Sequence, residues 1–199
     1  MHTGREQELM ARIRAGDKTA CDECIREHSP GVYRLAIRLM RNGAEAEDVV
    51  QETFLSAFKA IDRFDGRSGI QTWLYRIAYN ASLMRLRRRR PDSVPLEEAI
   101  EPDEGAPVPR ALVDWCCLPE QMLEKAEVRA EIRRAIRELP PKLRAVFVMR
   151  ELEELPTGAA AEALGISEET VKTRLRRARL RLKERLADQF SPRTASPRA

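Results

Sequence analysis

Four groups of side chains in this sequence have types and spacings that could do chemistry. Cys21, Cys24 and His28 fall at i, i+3 and i+7, one face of one helix, and offer three of the four ligands that structural zinc takes. The same spacing suits plain burial, because a free cysteine packs as a small apolar residue. Core packing and metal or redox sensing therefore both remain open, and no metal is assigned. The second group is a basic run: residues 168–185 carry eight basic against three acidic side chains, which puts phosphate attraction and base-edge donors on one segment. The third joins Phe54, Phe58, Phe64, Trp73, Tyr75 and Tyr79, six of the ten aromatics, to Arg85, Arg87, Arg88, Arg89 and Arg90. Stacking faces beside guanidiniums suit capture of unpaired bases, although Trp73, Ile77 and Ala81 have the spacing of core residues. Arg76, Asn80, Leu83 and Arg87 line a separate face that could meet DNA. The fourth is acidic: Asp48, Gln51 and Glu52 lie opposite an apolar stripe, on a face that DNA would repel and a basic protein surface would attract.

Catalysis is not expected. The sequence has two histidines, His2 and His28, no HExxH, and a Gly66-x-x-Gly69 step without the lysine of a phosphate loop. No acid–base constellation can be assembled, so neither an enzyme nor a cofactor is predicted.

The elements that must position these groups are helices. Val32, Leu35, Ala36, Leu39 and Met40 follow one helical stripe, and Val50, Phe54, Ala57, Phe58 and Ile61 another, with Asn42 as the cap opening the second. Phe64-Asp65-Gly66-Arg67-Ser68-Gly69 interrupts the pattern, and Ser68 is placed to cap a helix that runs to about Arg90. Further on, Val128, Ile132, Ala135, Ile136 and Leu139 form a third stripe ending at Pro140-Pro141, and the next helix carries Leu143, Val146, Phe147 and Leu152. A short Ala-rich helix over about 157–164, a Gly165-Ile166-Ser167 turn and a long basic helix from Glu168 complete a helix-turn-helix pattern. On the long helix Val171, Leu175, Ala178 and Leu182 share one face; Glu169, Thr173, Arg176 and Arg177 centre the opposite one, with Lys172 at its edge.

Charge divides the 199 residues into blocks: net +5 over 1–90, −7 over 91–120 and +6 over 121–199. The predicted architecture is all-α, two small helical domains (1–90 and 121–190) joined by a flexible, acidic, Pro-rich linker (91–120), with a disordered tail at 191–199. No stretch approaches the ~20 apolar residues of a membrane span. The N-terminus shows no signal peptide, so a cytoplasmic location without membrane insertion is expected. Cys116 and Cys117 sit beside Trp115 in the linker, and disulfides are not expected in such a chain.

Several of these segments are similar to a known family. Ala46-Glu47-Asp48-Val49-Val50-Gln51-Glu52-Thr53-Phe54, Phe64-Asp65-Gly66-Arg67-Ser68 and Thr72-Trp73-Leu74-Tyr75-Arg76-Ile77-Ala78-Tyr79-Asn80 resemble region 2 of the sigma-70 family of RNA polymerase sigma factors. Leu139-Pro140-Pro141-Lys142-Leu143-Arg144-Ala145-Val146-Phe147 and the segment from Leu164 to Leu175 resemble region 4. Order and spacing fit the small extracytoplasmic-function group, which keeps only these two regions. The resemblance implies a subunit that binds core RNA polymerase through the β′ clamp helices and the β flap, with Asp48, Gln51 and Glu52 on the clamp helices. It implies promoter DNA as the second partner, with Phe64, Asp65, Arg67, Ser68, Arg76, Asn80 and Arg87 at the minus-10 element, where a base is flipped out. Ser167, Glu169, Thr170, Lys172, Thr173, Arg176 and Arg177 then fall at the minus-35 element, and an anti-sigma factor is an expected partner. The alternative, a stand-alone helix-turn-helix regulator, would need neither the acidic face nor a second DNA unit across a long linker.

Departures from the family pattern carry their own expectations. Trp73-Leu74 stands where housekeeping members have two tryptophans, so one melting wedge is missing and promoter opening depends more on contacts at both elements. Thr157 and Ala160 replace a common Tyr and Ile, and Pro156 a common capping Ser, which predicts looser packing of the small core under the first helix of the pair. Regions 1.1 and 3 have no counterpart. Two promoter elements about 17 base pairs apart are ~58 Å apart, whereas a relaxed coil of residues 91–119 spans about 30 Å. The linker must be drawn out, and its charge suits threading through a basic nucleic-acid channel as a polyanion mimic or, more simply, a solvated tether.

Overall fold

A computed structural model describes residues 4–89 and 126–190; the expectations for the acidic linker, Cys116, Cys117 and the tail lie outside these residues. The described residues form helices and loops with no strand, as the apolar periodicity predicts.

The first unit has four helices. α1 (Gly4–Arg14) buries Leu9, Met10 and Ile13. Asp17 caps α2 (Lys18–Met40), its carboxylate accepting from the Thr19 and Ala20 amides at 2.8 and 3.2 Å. α2 runs through Pro30, which removes one backbone hydrogen bond; burial of Val32, Leu35, Ala36, Leu39 and Met40 on the far side keeps the helix whole. Each such leucine contributes roughly 1.5–3 kcal/mol by leaving water. Asn42 caps α3 (Gly43–Lys59) through its side-chain oxygen, 3.1 Å from the Glu45 amide. The α3 stripe is turned slightly from its expected phase: Val49 and Thr53 are fully buried, while Val50 and Phe58 are half-buried. Thr53 can lie inside because its hydroxyl donates to the Val49 carbonyl at 2.6 Å.

A 3-10 turn (Ile61–Arg63) leads to α4 (Ile70–Arg89), which starts one residue later than expected. Gly69, not Ser68, supplies the first helical acceptor, to the Trp73 amide at 3.1 Å. α4 buries Ile70, Thr72, Leu74, Tyr75, Ala78, Tyr79, Ala81 and Ser82, so Trp73 and Ile77 are flanking, half-buried residues rather than its centre. Burial on two sides follows from its neighbours: α2 and α3 pack against one side and the second unit against another.

In the second unit α5 (Ala126–Glu138) precedes Leu139, and Pro141 opens α6 (Pro141–Phe147) at the position where a missing amide is harmless. α6 continues as a π-helical turn (Val148–Leu152). Ala145 to Met149 are all buried, which makes this the unit's central strut; Leu143 and Leu152 are only half-buried. α7 (Thr157–Leu164) begins at Pro156 without a side-chain cap and ends at Gly165, whose φ of 67° is left-handed. Ser167 caps α8 (Glu168–Phe190), accepting from the Thr170 amide at 3.1 Å. Val171, Leu175, Ala178 and Leu182 form the buried stripe, as their spacing predicts.

Candidate nucleic-acid interface

α8 presents the basic face of the helix-turn-helix. Glu169, Lys172 and Arg176 are exposed, and Thr170, Thr173 and Arg177 are half-exposed, opposite the Val171/Leu175 stripe. Glu169 and Lys172 approach to 3.9 Å, a loose surface pair. Exposed Ser167 is engaged with Thr170, their hydroxyls 2.8 Å apart, so these two residues hold the start of α8 in shape.

The loop before α4 divides into buried and open residues. Phe64 is 7% exposed, its ring tilted against Trp73 with centroids 5.0 Å apart, and Ser68 is buried. Asp65 and Arg67 are exposed and tied together: the Asp65 carboxylate accepts from the Arg67 amide at 3.1 Å and pairs with its guanidinium at 2.9 Å. Gly66, at φ 73°, makes that reversal. The Phe64 carbonyl accepts from Arg14 of α1, an anchor that sequence patterning does not reveal. Arg76, Asn80 and Arg87 are all exposed, and their spacing of four and seven places them along one side of α4.

The acidic face lies on α3. Asp48 and Gln51 are exposed, Glu52 is half-exposed, and Leu55, one turn further on, is 61% exposed. Arg85 bridges Asp48 and Glu52 at 3.1 and 3.0 Å, and Arg89 pairs with Glu45. The arginine run is therefore split by the helix: 85 and 89 turn to α3, and 87 and 88 to solvent.

Cys24 is core, and burial pushes its thiol up to about 12. Burial, with Asp22 and Asp17 adding to it, raises the Cys21 thiol, and burial lowers the His28 imidazole. No three metal-ligating side chains gather among the described residues. Two buried ionic side chains had no signal in the sequence pattern. Arg144 is 2% exposed and donates to the Arg137 and Leu39 carbonyls, and burial together with the charge of Arg41 brings it down to about 10. The other, Glu153, lies between the units.

Residues 24–91 match the family model for Sigma-70 region 2, and residues 129–182 match that for Sigma-70, region 4. The chain belongs to the sigma-70 family of sigma factors, the class that these two helical units define. Within it, the chain is 35% identical to the ECF RNA polymerase sigma factor SigW of Bacillus subtilis, covering 89% of this chain and 94% of that protein. It is 35% identical to the RNA polymerase sigma-H factor of Pseudomonas aeruginosa, covering 88% and 90%. Among solved structures it resembles CnrH, in complex with the cytosolic domain of CnrY, with a TM-score of 0.64, 25% identity and coverage of 94% of this chain and 99% of that one. The protein is a sigma factor of the extracytoplasmic-function group, directing transcription initiation. Such proteins are initiation factors, and among the described residues no helix is long and apolar enough to cross a membrane.

Proposed function

We propose that this sigma factor docks on core RNA polymerase through Asp48, Gln51 and Glu52 and reads promoter DNA with two separate helices. The exposed acidic face of α3 carries the reading. On a chain whose two helical units are each net basic, a carboxylate stripe turned to solvent beside exposed Leu55 suits a basic protein surface such as the β′ clamp helices, and the β flap is the natural seat for the second unit. Asp65, Arg67, Arg76, Asn80 and Arg87 meet the minus-10 element, and buried Phe64 and Ser68 shape the loop beneath them. Ser167, Glu169, Thr170, Lys172, Thr173, Arg176 and Arg177 meet the minus-35 element as the recognition helix enters the major groove.

The work is cytoplasmic, where core polymerase is found. The matched CnrH was solved with a second protein on it, which supports an anti-sigma factor as the regulatory partner here. Co-purification with core polymerase, followed by transcription from templates carrying both elements, tests the function. Retention on the core and dependence on both elements are expected; operator binding unaffected by core polymerase would count against it.

A further inference from the structure

The first unit holds a socket that none of these assignments uses. Glu153 follows the π-helical turn of the second unit, and its side chain is only 1% exposed. Its hydrogen bonds come from the first unit: Arg34 Nε at 3.0 and 3.2 Å, Arg34 Nη2 at 2.7 Å, Arg38 Nη1 at 2.7 Å, and the Tyr75 hydroxyl at 2.9 Å. Gln71 Nε2 donates to the same hydroxyl at 3.2 Å, which leaves the phenol proton for Glu153. Gly31 gives that hydroxyl its room, since a Cβ there would stand 2.6 Å from the Tyr75 oxygen.

A carboxylate withdrawn from water needs compensation, and one whose partners are removed is strongly disfavoured. Here two guanidiniums and a phenol converge on it from α2 and α4, across 115 and 119 residues of sequence for the arginines. Arg144 adds a further cross-unit bond, to the Leu39 carbonyl, and Arg41 donates to the Arg137 carbonyl.

We infer that Arg34, Arg38 and Tyr75 form a carboxylate-binding socket whose ligand is Glu153, and that seating Glu153 holds the two units folded together. The closed chain packs α7 directly on α4. Promoter elements ~58 Å apart call for units drawn apart, so the socket empties when both elements are engaged. This consequence for initiation rests on the sigma-factor reading, whereas the seating itself does not.

Small-angle X-ray scattering on the full chain tests it, with Glu153→Gln and, from the socket side, Arg34→Ala/Arg38→Ala. The wild type is expected to be compact, and each variant to shift to a larger radius of gyration with a second peak in the pair-distance distribution, at unchanged helical circular dichroism. Should Glu153→Gln fail to fold, the double arginine variant decides, because those side chains are partly exposed. An already extended wild type, or variants as compact as wild type, overturns the proposal. Core polymerase capture is measured in parallel: a wild type that ignores the core while the scattering shift persists removes the initiation consequence and leaves the socket standing.

Discussion

The two units differ in how some of their helices begin. In the first, Asp17 and Asn42 cap α2 and α3 with side-chain oxygens, and large residues such as Leu35, Leu39, Leu74 and Tyr75 fill the interior. In the second, α6 and α7 start at Pro140 and Pro156 with no side-chain cap, although Ser167 caps α8, and Ala145, Ala160, Ala161, Ala163 and Ala178 are buried beside Val146, Phe147, Met149 and Leu182. Small side chains let helices approach closely but remove little area from water. The second unit compensates with the α6 strut and with contacts to its neighbour. That contact buries surface of both units, through α4 on one side and α7 on the other.

The largest test of this contrast is Phe147→Ala. Phe147 is the one aromatic in the second unit's described core, and truncation of a buried Phe costs about 3–5 kcal/mol. Heteronuclear NMR should show α8 resonances collapsing while those of α2 and α3 persist. Simultaneous loss of both sets would mean the units melt as one and would break the comparison.

Docking on the clamp helices should map to the acidic face of the first unit. Reversing charge with Asp48→Lys/Glu52→Lys should lower core polymerase affinity by at least ~100-fold, since losing a partner in an interfacial charge pair costs about 2–5 kcal/mol. Glu169→Lys, an acidic reversal on α8, should leave that affinity within about twofold. A double reversal that still competes for the core as well as wild type would sink the docking assignment. Arg85→Ala sharpens the point: with its bridges to Asp48 and Glu52 gone, the acidic face is less neutralised and core binding should hold or improve.

How far these surfaces were legible in the sequence depends on where their causes lie. The helix-turn-helix was readable because its determinants are local: Gly165 for the left-handed turn, Ser167 for the cap, and the stripe from Val171 to Leu182 for the buried side. The acidic stripe of α3 was readable as a polar face, but Arg85 within it was not, since a run of arginines looks like one block until helical rotation separates 85 from 87. The phase of α3 was misread because Thr53 counts as polar until its hydroxyl is known to meet Val49. Burial of α4 on two sides, and of Arg144 and Glu153, could not be read, because their partners include groups more than 70 residues away.

Recognition by the second unit should be weaker per residue. Lys172→Ala and Arg176→Ala are each expected to cost about 1–3 kcal/mol at the minus-35 element. A base contact relaxes specificity at one position, and a phosphate contact weakens all sequences alike and flattens the salt dependence. Binding measured against a panel of single-base variants separates the two. Equal transcription by the wild type from matched and scrambled minus-35 sites would remove α8 from the role of reader.

The smallest effect lies in a turn. Where the first unit reverses between α1 and α2 and again before α4, it uses Gly16 and Gly66, at φ 82° and 73°. The second unit, turning from α6 to α7, places Glu154 at φ 54°. A side chain in the left-handed region costs roughly 1–2 kcal/mol, and a glycine there escapes that strain while adding ~0.4–1 kcal/mol of unfolded-state freedom. The difference favours glycine, so Glu154→Gly should stabilise the second unit by about 0.5 kcal/mol, and exposure of Glu154 means little packing is lost with its side chain. Gly16→Ala should move the first unit the other way by about 1 kcal/mol. Urea unfolding followed at α8 and at α2 resonances measures both, with scattering as the control that Glu153 stays seated beside the altered turn. A destabilised Glu154→Gly variant that remains compact would show that the left-handed glutamate makes a contribution to the turn that outweighs its strain.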